Sequence, residues 1–338
     1  NWSYSKNKKI IRKVKMSLEI DSLFNSFNKS NILVVGDSMI DSYVWGKIDR
    51  MSPEAPVPLL NVTKKESRIG GAANVALNLK ALGAKVKLCS VVGDDYKSKI
   101  FKELLVRENI STDGIISEKN RITTEKKRII SEKYFSRNYN KHHIRIDDEI
   151  IEDINDEKTF ISLIKNQMNE IDAIILQDYN KGNLTKNVIE EVISYANKKN
   201  IPTLCDPKIK NFYSFKNCTL IKPNLSEIRN GGGIKINPES NHEVTFATKK
   251  LQERLNCDII MLTMSENGIQ IKTESSSTHF KNVDRKIVDV SGAGDTVISV
   301  AALCLSQNTS IELLGFLSNL AGGIVCEYSG VVKLDKDK

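Results

Sequence analysis

No stretch of the 338-residue chain has the unbroken apolar length that a bilayer crossing needs, so a membrane-spanning role is not expected. Cysteine is sparse: Cys89, Cys205, Cys218, Cys257, Cys304 and Cys326 are scattered, form no CxxC pair and sit mostly in apolar runs. That pattern argues against a disulfide framework or a metal knuckle and for reduced core thiols in a cytoplasmic protein. The four histidines, His142, His143, His242 and His279, lie in polar or strand-edge contexts without ligand spacing, so zinc is not expected. A Walker-type GxxxxGK[ST] loop is absent, which excludes the P-loop route to phosphate binding. There is no internal repeat and no linker long enough to part independent domains.

Negative charge is missing from the N-terminus. Residues 1–15 hold Lys6, Lys8, Lys9, Arg12, Lys13 and Lys15 with no acid, so six of the net +8 charges lie there and only +2 remain elsewhere. A nucleic-acid-binding protein spreads its basic residues over a folded face. Here they crowd a leader before Met16 that lacks the apolar core of a secretory signal, and 1–15 reads as a disordered basic leader or cloning remnant. Neither nucleic acid nor membrane is an expected partner; the alternative is a basic arm that touches one of them.

Short apolar runs alternate with amphipathic segments through the rest of the chain. Residues 32–36, 87–93, 172–178, 202–206, 219–224 and 258–263 read as buried strands, and helices are expected at about 97–107, 185–198, 241–256 and 310–326. This alternation predicts an α/β fold with a mostly parallel central sheet flanked by helices, whose ligands bind beyond the strand C-termini. Asp37, Asp178, Asp206, Asn224 and Thr263 fall at such ends. Two regions, about 43–62 and 121–147, hold strand-like stretches without helices between them.

Two glycine motifs carry the chemistry. In DVSGAGDT, Asp289 to Thr296, Gly292 and Gly294 let the backbone tighten ahead of an apolar helix, so that the N–H groups of Gly292, Ala293 and Gly294 converge on an anion. Asp295 then stands beside that anion, placed to accept a proton; an ordinary strand-to-helix turn has the same look. In Ile69 to Gly83, the helix face accounts for Val75, Leu79 and Leu82 but not for Gly70, Gly71 and Asn74, which suit a ligand or tight helix packing.

Together these segments resemble the ribokinase-like (PfkB) family of carbohydrate kinases, whose signatures are an early GG-x-x-N and a late D-x-x-GAGD in this order. Within it, GDSMIDSY at 36–43, SPEAPVP at 52–58, QDYNKG at 177–182 and IRIDDE at 144–149 look like the D-glycero-D-manno-heptose 7-phosphate kinases of lipopolysaccharide precursor synthesis. The resemblance runs from about Ile32 to Val332. It implies a ribokinase-like three-layer fold over 16–338, with 43–62 and 121–147 forming a small β-sheet lid. A sheet covered on neither face by helices also makes a homodimer through the lid plausible.

Carried over residue by residue, the resemblance implies that Asp41 grips sugar hydroxyls with Gly70, Gly71 and Asn74, that Asp178 belongs to the substrate side, and that Lys181 is a candidate for the substrate's existing phosphate or a solvated loop lysine. Arg128 and Arg145 are candidates to clamp the substrate's phosphate, although Arg145 is equally placed to pair with Asp147 or Glu149. Asn224 and Glu227 in KPNLSE match the pair that organises Mg2+ through water, and the same spacing suits a helix capping box. Thr263, Ser265 and Gly268 resemble the nucleotide-side turn, and Asn319 the residue flanking adenine. The implied reaction is in-line transfer from ATP to the anomeric hydroxyl, with Asp295 as base.

The family pattern is departed from in three places. The chain ends soon after Val332, where relatives continue into a final helix, so a short or truncated C-terminal edge is expected. No HxGH motif follows, and a separate adenylyltransferase is the expected pathway partner. The lid stretch 124–140 is more polar than the resemblance predicts. The rival readings are a kinase of the same family for another sugar or sugar phosphate, a non-catalytic sugar-phosphate or nucleotide sensor, and a scaffold subunit acting through the lid edge.

Overall fold

The computed structural model describes residues 20–134 and 137–334, with the side chains of 132–143 excepted; the 1–15 leader lies outside them. Strand β1 (Asn31–Gly36) is apolar and buried along nearly its whole length. Ile32 and Val34 pack into the core on one face of the sheet, and Leu33 and Val35 into the core on the other. A strand buried on both faces cannot alternate polar and apolar residues, which is why this segment reads as a continuous run.

Eight further strands complete its sheet: β4 (Lys85–Gly93), β5 (Ile115–Glu118), β8 (Ala173–Gln177), β9 (Thr203–Asp206), β10 (Leu220–Ile221), β11 (Ile259–Thr263), β12 (Ile269–Lys272) and β13 (Ser277–Phe280). The order is β13-β12-β11-β10-β9-β8-β1-β4-β5. Pairing is parallel from β11 through to β5, and β12 and β13 add antiparallel to the edge. Helices α1 (Ala72–Ala81), α7 (Ala293–Ser306) and α8 (Ile311–Val325) cover one face. Helices α3 (Glu157–Gln167), α4 (Lys186–Lys198) and α6 (Asn241–Leu255) cover the other, α2 (Tyr96–Arg107) packs beside α1's face, and the short α5 (Leu225–Asn230) follows β10. The chain moves outward from β1 through β4 to β5 on one side, and from β8 through β11 on the other. The β1/β8 boundary is therefore the switch point where such sheets open a crevice.

The second sheet has the order β3-β2-β6-β7, with β2 (Ser38–Met51), β3 (Pro58–Gly71), β6 (Glu125–Tyr134) and β7 (Arg137–Asp148). It reaches further than the expected 43–62 and 121–147. β2 starts two residues after β1, and its ladder with β3 runs back to the Ser38–Gly71 pair because Ile40 and Ile69 are buried opposite one another. Gly70 and Gly71 end strand β3, and Gly71 is also the N-cap of α1, at φ 61. On β7, Ile144 and Ile146 are exposed.

All six cysteines are buried and free. Among the described residues no helix is long and apolar enough to cross a membrane. Residues after α8 fold back on the lid root: Tyr43 Oη accepts from the Val331 amide at 3.2 Å, and Arg68 donates to the Val331 carbonyl at 2.8 Å.

Candidate active site

Helix α7 begins where the glycine motif predicts. Gly292 is its N-cap at φ 80, a left-handed backbone that glycine adopts without a side-chain clash. The N–H groups of a helix's first turn have no partner within the helix, so this end faces its cavity with donors and the positive end of the dipole. The Ala293 N–H is already donated to the Val290 carbonyl at 3.3 Å, which leaves its glycine neighbours better placed for an incoming anion. A Cβ on Gly294 would lie 3.3 Å from Lys222 Nζ, so the missing side chain keeps the space before that ammonium open.

The cavity has a volume of about 470 Å³. Asn224, Thr263, Ser265, Gly268 and Asn319 line it together with residues 292–295, so the nucleotide-side residues named from sequence converge on one wall. Asn319 is itself anchored, donating to the Lys281 carbonyl at 2.9 Å. Glu227 does not line the cavity. It closes a reciprocal capping box with Asn224 at the start of α5 and ion-pairs with Lys208, which does line it.

Asp295, the third residue of α7, is buried, and that burial pushes its carboxyl up to about 6. Hydrogen bonds from Tyr179 and Asn74 hold it from rising further. Asn74 Nδ2 donates to Oδ2 at 2.7 Å, Tyr179 Oη to Oδ1 at 2.6 Å, and Gln177 Nε2 to Oδ1 at 3.3 Å. An ionised carboxylate offers about four lone-pair sites. Three donors leave one, which is what a base needs to receive a substrate hydroxyl.

Beside it, Asp206 Oδ2 accepts from Gln177 at 2.9 Å and pairs with Lys222 at 3.0 Å, while Asp206 Oδ1 is buried without a partner among the described residues. Burial opposes the charge of Lys208, but the carboxylates of Asp206 and Glu227 outweigh it and hold the ammonium well above its usual range. Among the described residues no three His, Cys, Asp or Glu side chains converge as a metal cage. The oxygens of Asp206, Asn224 and Glu227 nonetheless suit a hard cation held chiefly by phosphate and water, and the orphaned Asp206 Oδ1 is the kind of acceptor that such an ion satisfies.

On the lid side, Asp41 is buried and pairs with Arg128 at 2.5 Å. A Cβ on Gly70 would fall 2.2 Å from Asp41 Oδ2, so the glycine makes room for that carboxylate. Arg145 is tied bidentately to Asp147 at 2.9 and 2.8 Å, and Lys181 pairs with Glu149 at 2.7 Å. The three cations expected to hold a substrate phosphate are therefore each matched by a carboxylate. Lys126 is not: it has no carboxylate partner among the described residues, and burial together with neighbouring Lys181 lowers its pKa. Asp178 is buried away from the cavity. Burial and the nearby Asp37 push it up to about 7. Asp37 holds the whole turn, accepting from the amides of Tyr179 at 2.7 Å, Lys181 at 3.0 Å and Asn183 at 3.0 Å.

Sequence reasoning placed Asp206 at a strand C-terminus facing the crevice but did not single out Tyr179, Gln177, Lys208, Lys222 or Lys126 as site residues. Tyr179, Gln177 and Lys222 stand inside the QDYNKG and KPNLSE motifs, so their signal was present. Lys208 and Lys126 had none beyond charge.

The sequence matches the pfkB family carbohydrate kinase over residues 29–337. It is 39% identical over 301 residues to "Bifunctional protein HldE" of Helicobacter pylori (strain J99), covering 88% of this chain and 63% of that one. It is 40% identical over 299 residues to the protein of the same name from Aliarcobacter butzleri, covering 88% and 61%. The chain thus spans about three-fifths of the length of these relatives. Among solved structures, the fold is similar to phosphofructokinase-2 from Escherichia coli in complex with fructose-6-phosphate, with TM-score 0.71, 16% identity and coverage of 91% and 96%. It is also similar to Arabidopsis thaliana ribokinase complexed with ribose and ATP, with TM-score 0.67, 17% identity and the same coverage.

Proposed function

The chain belongs to the pfkB family of carbohydrate kinases, and from that premise we propose that it phosphorylates the anomeric hydroxyl of D-glycero-D-manno-heptose 7-phosphate with ATP. The product is heptose 1,7-bisphosphate, a precursor on the way to ADP-heptose and the lipopolysaccharide core.

The observation that carries this reading is the state of Asp295. It is a buried carboxylate with three fixed donors and one open lone pair, at the start of a glycine-opened helix on the wall of a nucleotide-sized cavity. Asp295 takes the proton of the C1 hydroxyl as its oxygen forms the new bond to the γ-phosphorus. The bond from that phosphorus to the β,γ-bridging oxygen breaks, and ADP leaves with the electron pair. Donors at the start of α7 and the Lys222 ammonium offset the charge gathered on the transferring group. Asn224, Glu227 and Asp206 would hold magnesium through its waters, and the ion would supply charge neutralisation to the transferring phosphates. Asp41, Asn74, Gly70 and Gly71 orient the sugar.

The heptose assignment is supported by where the four resembling stretches fall. GDSMIDSY contributes Asp37 and Asp41, QDYNKG contributes Gln177, Tyr179 and Lys181, and IRIDDE contributes the outer lid strand with Arg145. SPEAPVP forms the connection between β2 and β3 and supplies the first residue of β3, Pro58. Lid closure excludes water and so limits ATP hydrolysis. The exposed Ile144 and Ile146 on β7 suit a second lid packed against this one, so the working form is read as a cytoplasmic homodimer. The adenylyltransferase step is assigned outside residues 29–337.

The test is magnesium-dependent ATP consumption across D-glycero-D-manno-heptose 7-phosphate, sedoheptulose 7-phosphate, fructose 6-phosphate, ribose and adenosine. Turnover confined to the heptose phosphate supports the assignment. Preference for another member overturns the substrate and keeps the kinase, and ATP binding without turnover on any of them favours a sensor.

A further inference from the structure

Tyr179 lies within the QDYNKG stretch, but its side chain has no assigned role in the transfer itself. Its hydroxyl lies 2.6 Å from Asp295 Oδ1, the shortest of the three contacts on that carboxylate. Burial and the Asp295 charge raise the phenol well above its ordinary range, so it remains protonated and donates. The side chain lines the cavity, and its ring is flanked by two ammonium groups: Lys126, carried by lid strand β6, is 5.4 Å from the centroid, and Lys208, on the cavity wall, is 5.5 Å from it. Its amide is fixed by Asp37 at the switch point between β1 and β8.

We infer that Tyr179 is the positioning residue of the base: its phenol fixes Asp295 Oδ1, directs the remaining lone pair toward the acceptor hydroxyl, and ties the carboxylate to the lid through Lys126. This rests on the reading of Asp295 as the base but not on which sugar is phosphorylated. A phenol donating to a carboxylate favours the ionised form. The other groups facing Asp295 are Asn74 from α1, Gln177 from β8, Asp206 from β9, and Lys222, which follows β10. Lys208 and Asp41 face Tyr179 itself.

The experiment is Tyr179→Phe in the full chain, with kcat and KM followed from pH 5 to 9 on whichever panel sugar the unaltered protein phosphorylates. Loss of one charge-assisted hydrogen bond is expected to move the acid limb of kcat up by roughly one to two pH units, with kcat at pH 6 down by about 5- to 50-fold and KM for the sugar within about threefold. A uniform fall in kcat with an unmoved acid limb would mean that the ring only packs, and would overturn the inference. A change confined to KM would overturn it as well, by making Tyr179 a substrate contact. Carbon-13 titration of aspartate-labelled protein, with Asp295→Asn identifying the resonance, reads the same shift without turnover. Should Asp295→Asn keep near-normal activity, the base assignment fails by itself. An inactive Asp295→Asn beside an unshifted Tyr179→Phe rejects Tyr179 alone.

Discussion

Replacing Asp295 with asparagine should stabilise the fold at pH 8 while removing catalysis, because the same burial that prepares the carboxyl as a base opposes its ionisation. The carboxyl is raised from 3.8 to about 6 in the folded chain, so the folded state binds this proton more tightly than the unfolded state does. The sign follows from that. The contribution to stability is fully present below the unfolded pKa and is lost as pH rises through the folded value, so the ionised carboxylate is a burden at pH 8. At 1.36 kcal/mol per unit the shift corresponds to about 3 kcal/mol at pH 8, with roughly half of it relieved by pH 5. An amide escapes that cost if its N–H finds an acceptor. Asn74 Oδ1 and Gln177 Oε1, both buried beside Asp295 and both unpartnered, can turn over to provide one. Urea melts of the two proteins at pH 8 and pH 5 measure the difference directly. The variant should be more stable at pH 8, with the gap about halved at pH 5, while kcat falls at least ~100-fold. A variant less stable at both pH values would refute the reasoning, since it would mean that the carboxylate is held by its donors more strongly than burial opposes it.

Three other outcomes follow from the same geometry. The kcat/KM profile of the unaltered protein should have an acid limb near pH 6, where Asp295 protonates, and a limb near 4 would indicate a carboxylate in contact with water in the working state. Lys126→Gln should raise KM for a phosphorylated sugar by about 10- to 100-fold, the worth of one charge-assisted contact, with KM for ATP unchanged, because Lys126 is a buried lid cation beside Lys181 and Tyr179 with no carboxylate partner among the described residues. Glu227→Gln should raise the magnesium concentration needed for half-maximal rate and lower the melting temperature slightly, since Glu227 both caps α5 and neutralises Lys208; an unchanged magnesium dependence would confine it to the capping role.

The layered α/β core was legible because strands such as β1 are buried on both faces and their helices carry one apolar stripe; the six apolar runs all became strands of one sheet. The start of α7 was legible because a left-handed Gly292 and the residues behind it form a local motif. The charge pairs were not. Arg128 meets Asp41 because β2 and β6 lie side by side, and Lys222 meets Asp206 because both stand at neighbouring strand ends, pairings set by sheet order rather than by spacing along the chain. The phosphate-clamp expectation weighed Lys181 without Glu149, its partner across the fold, whereas the pairing of Arg145 with Asp147 was already legible two residues along the chain. Tyr179 escaped notice because its ring position depends on Asp37 pinning the turn, and the segments that meet there, near residues 37, 179 and 295, are far apart in the chain.

In the proposed reaction Asp295 directs ATP's γ-phosphoryl group onto the anomeric oxygen of heptose 7-phosphate. Phosphorus NMR of the product formed from that sugar, ATP and magnesium tests it most directly. A second sugar phosphate signal, coupled to the C1 proton, should appear in step with ADP and be absent with Asp295→Asn. A new phosphate on any other carbon, or inorganic phosphate released in place of a sugar bisphosphate, would contradict it.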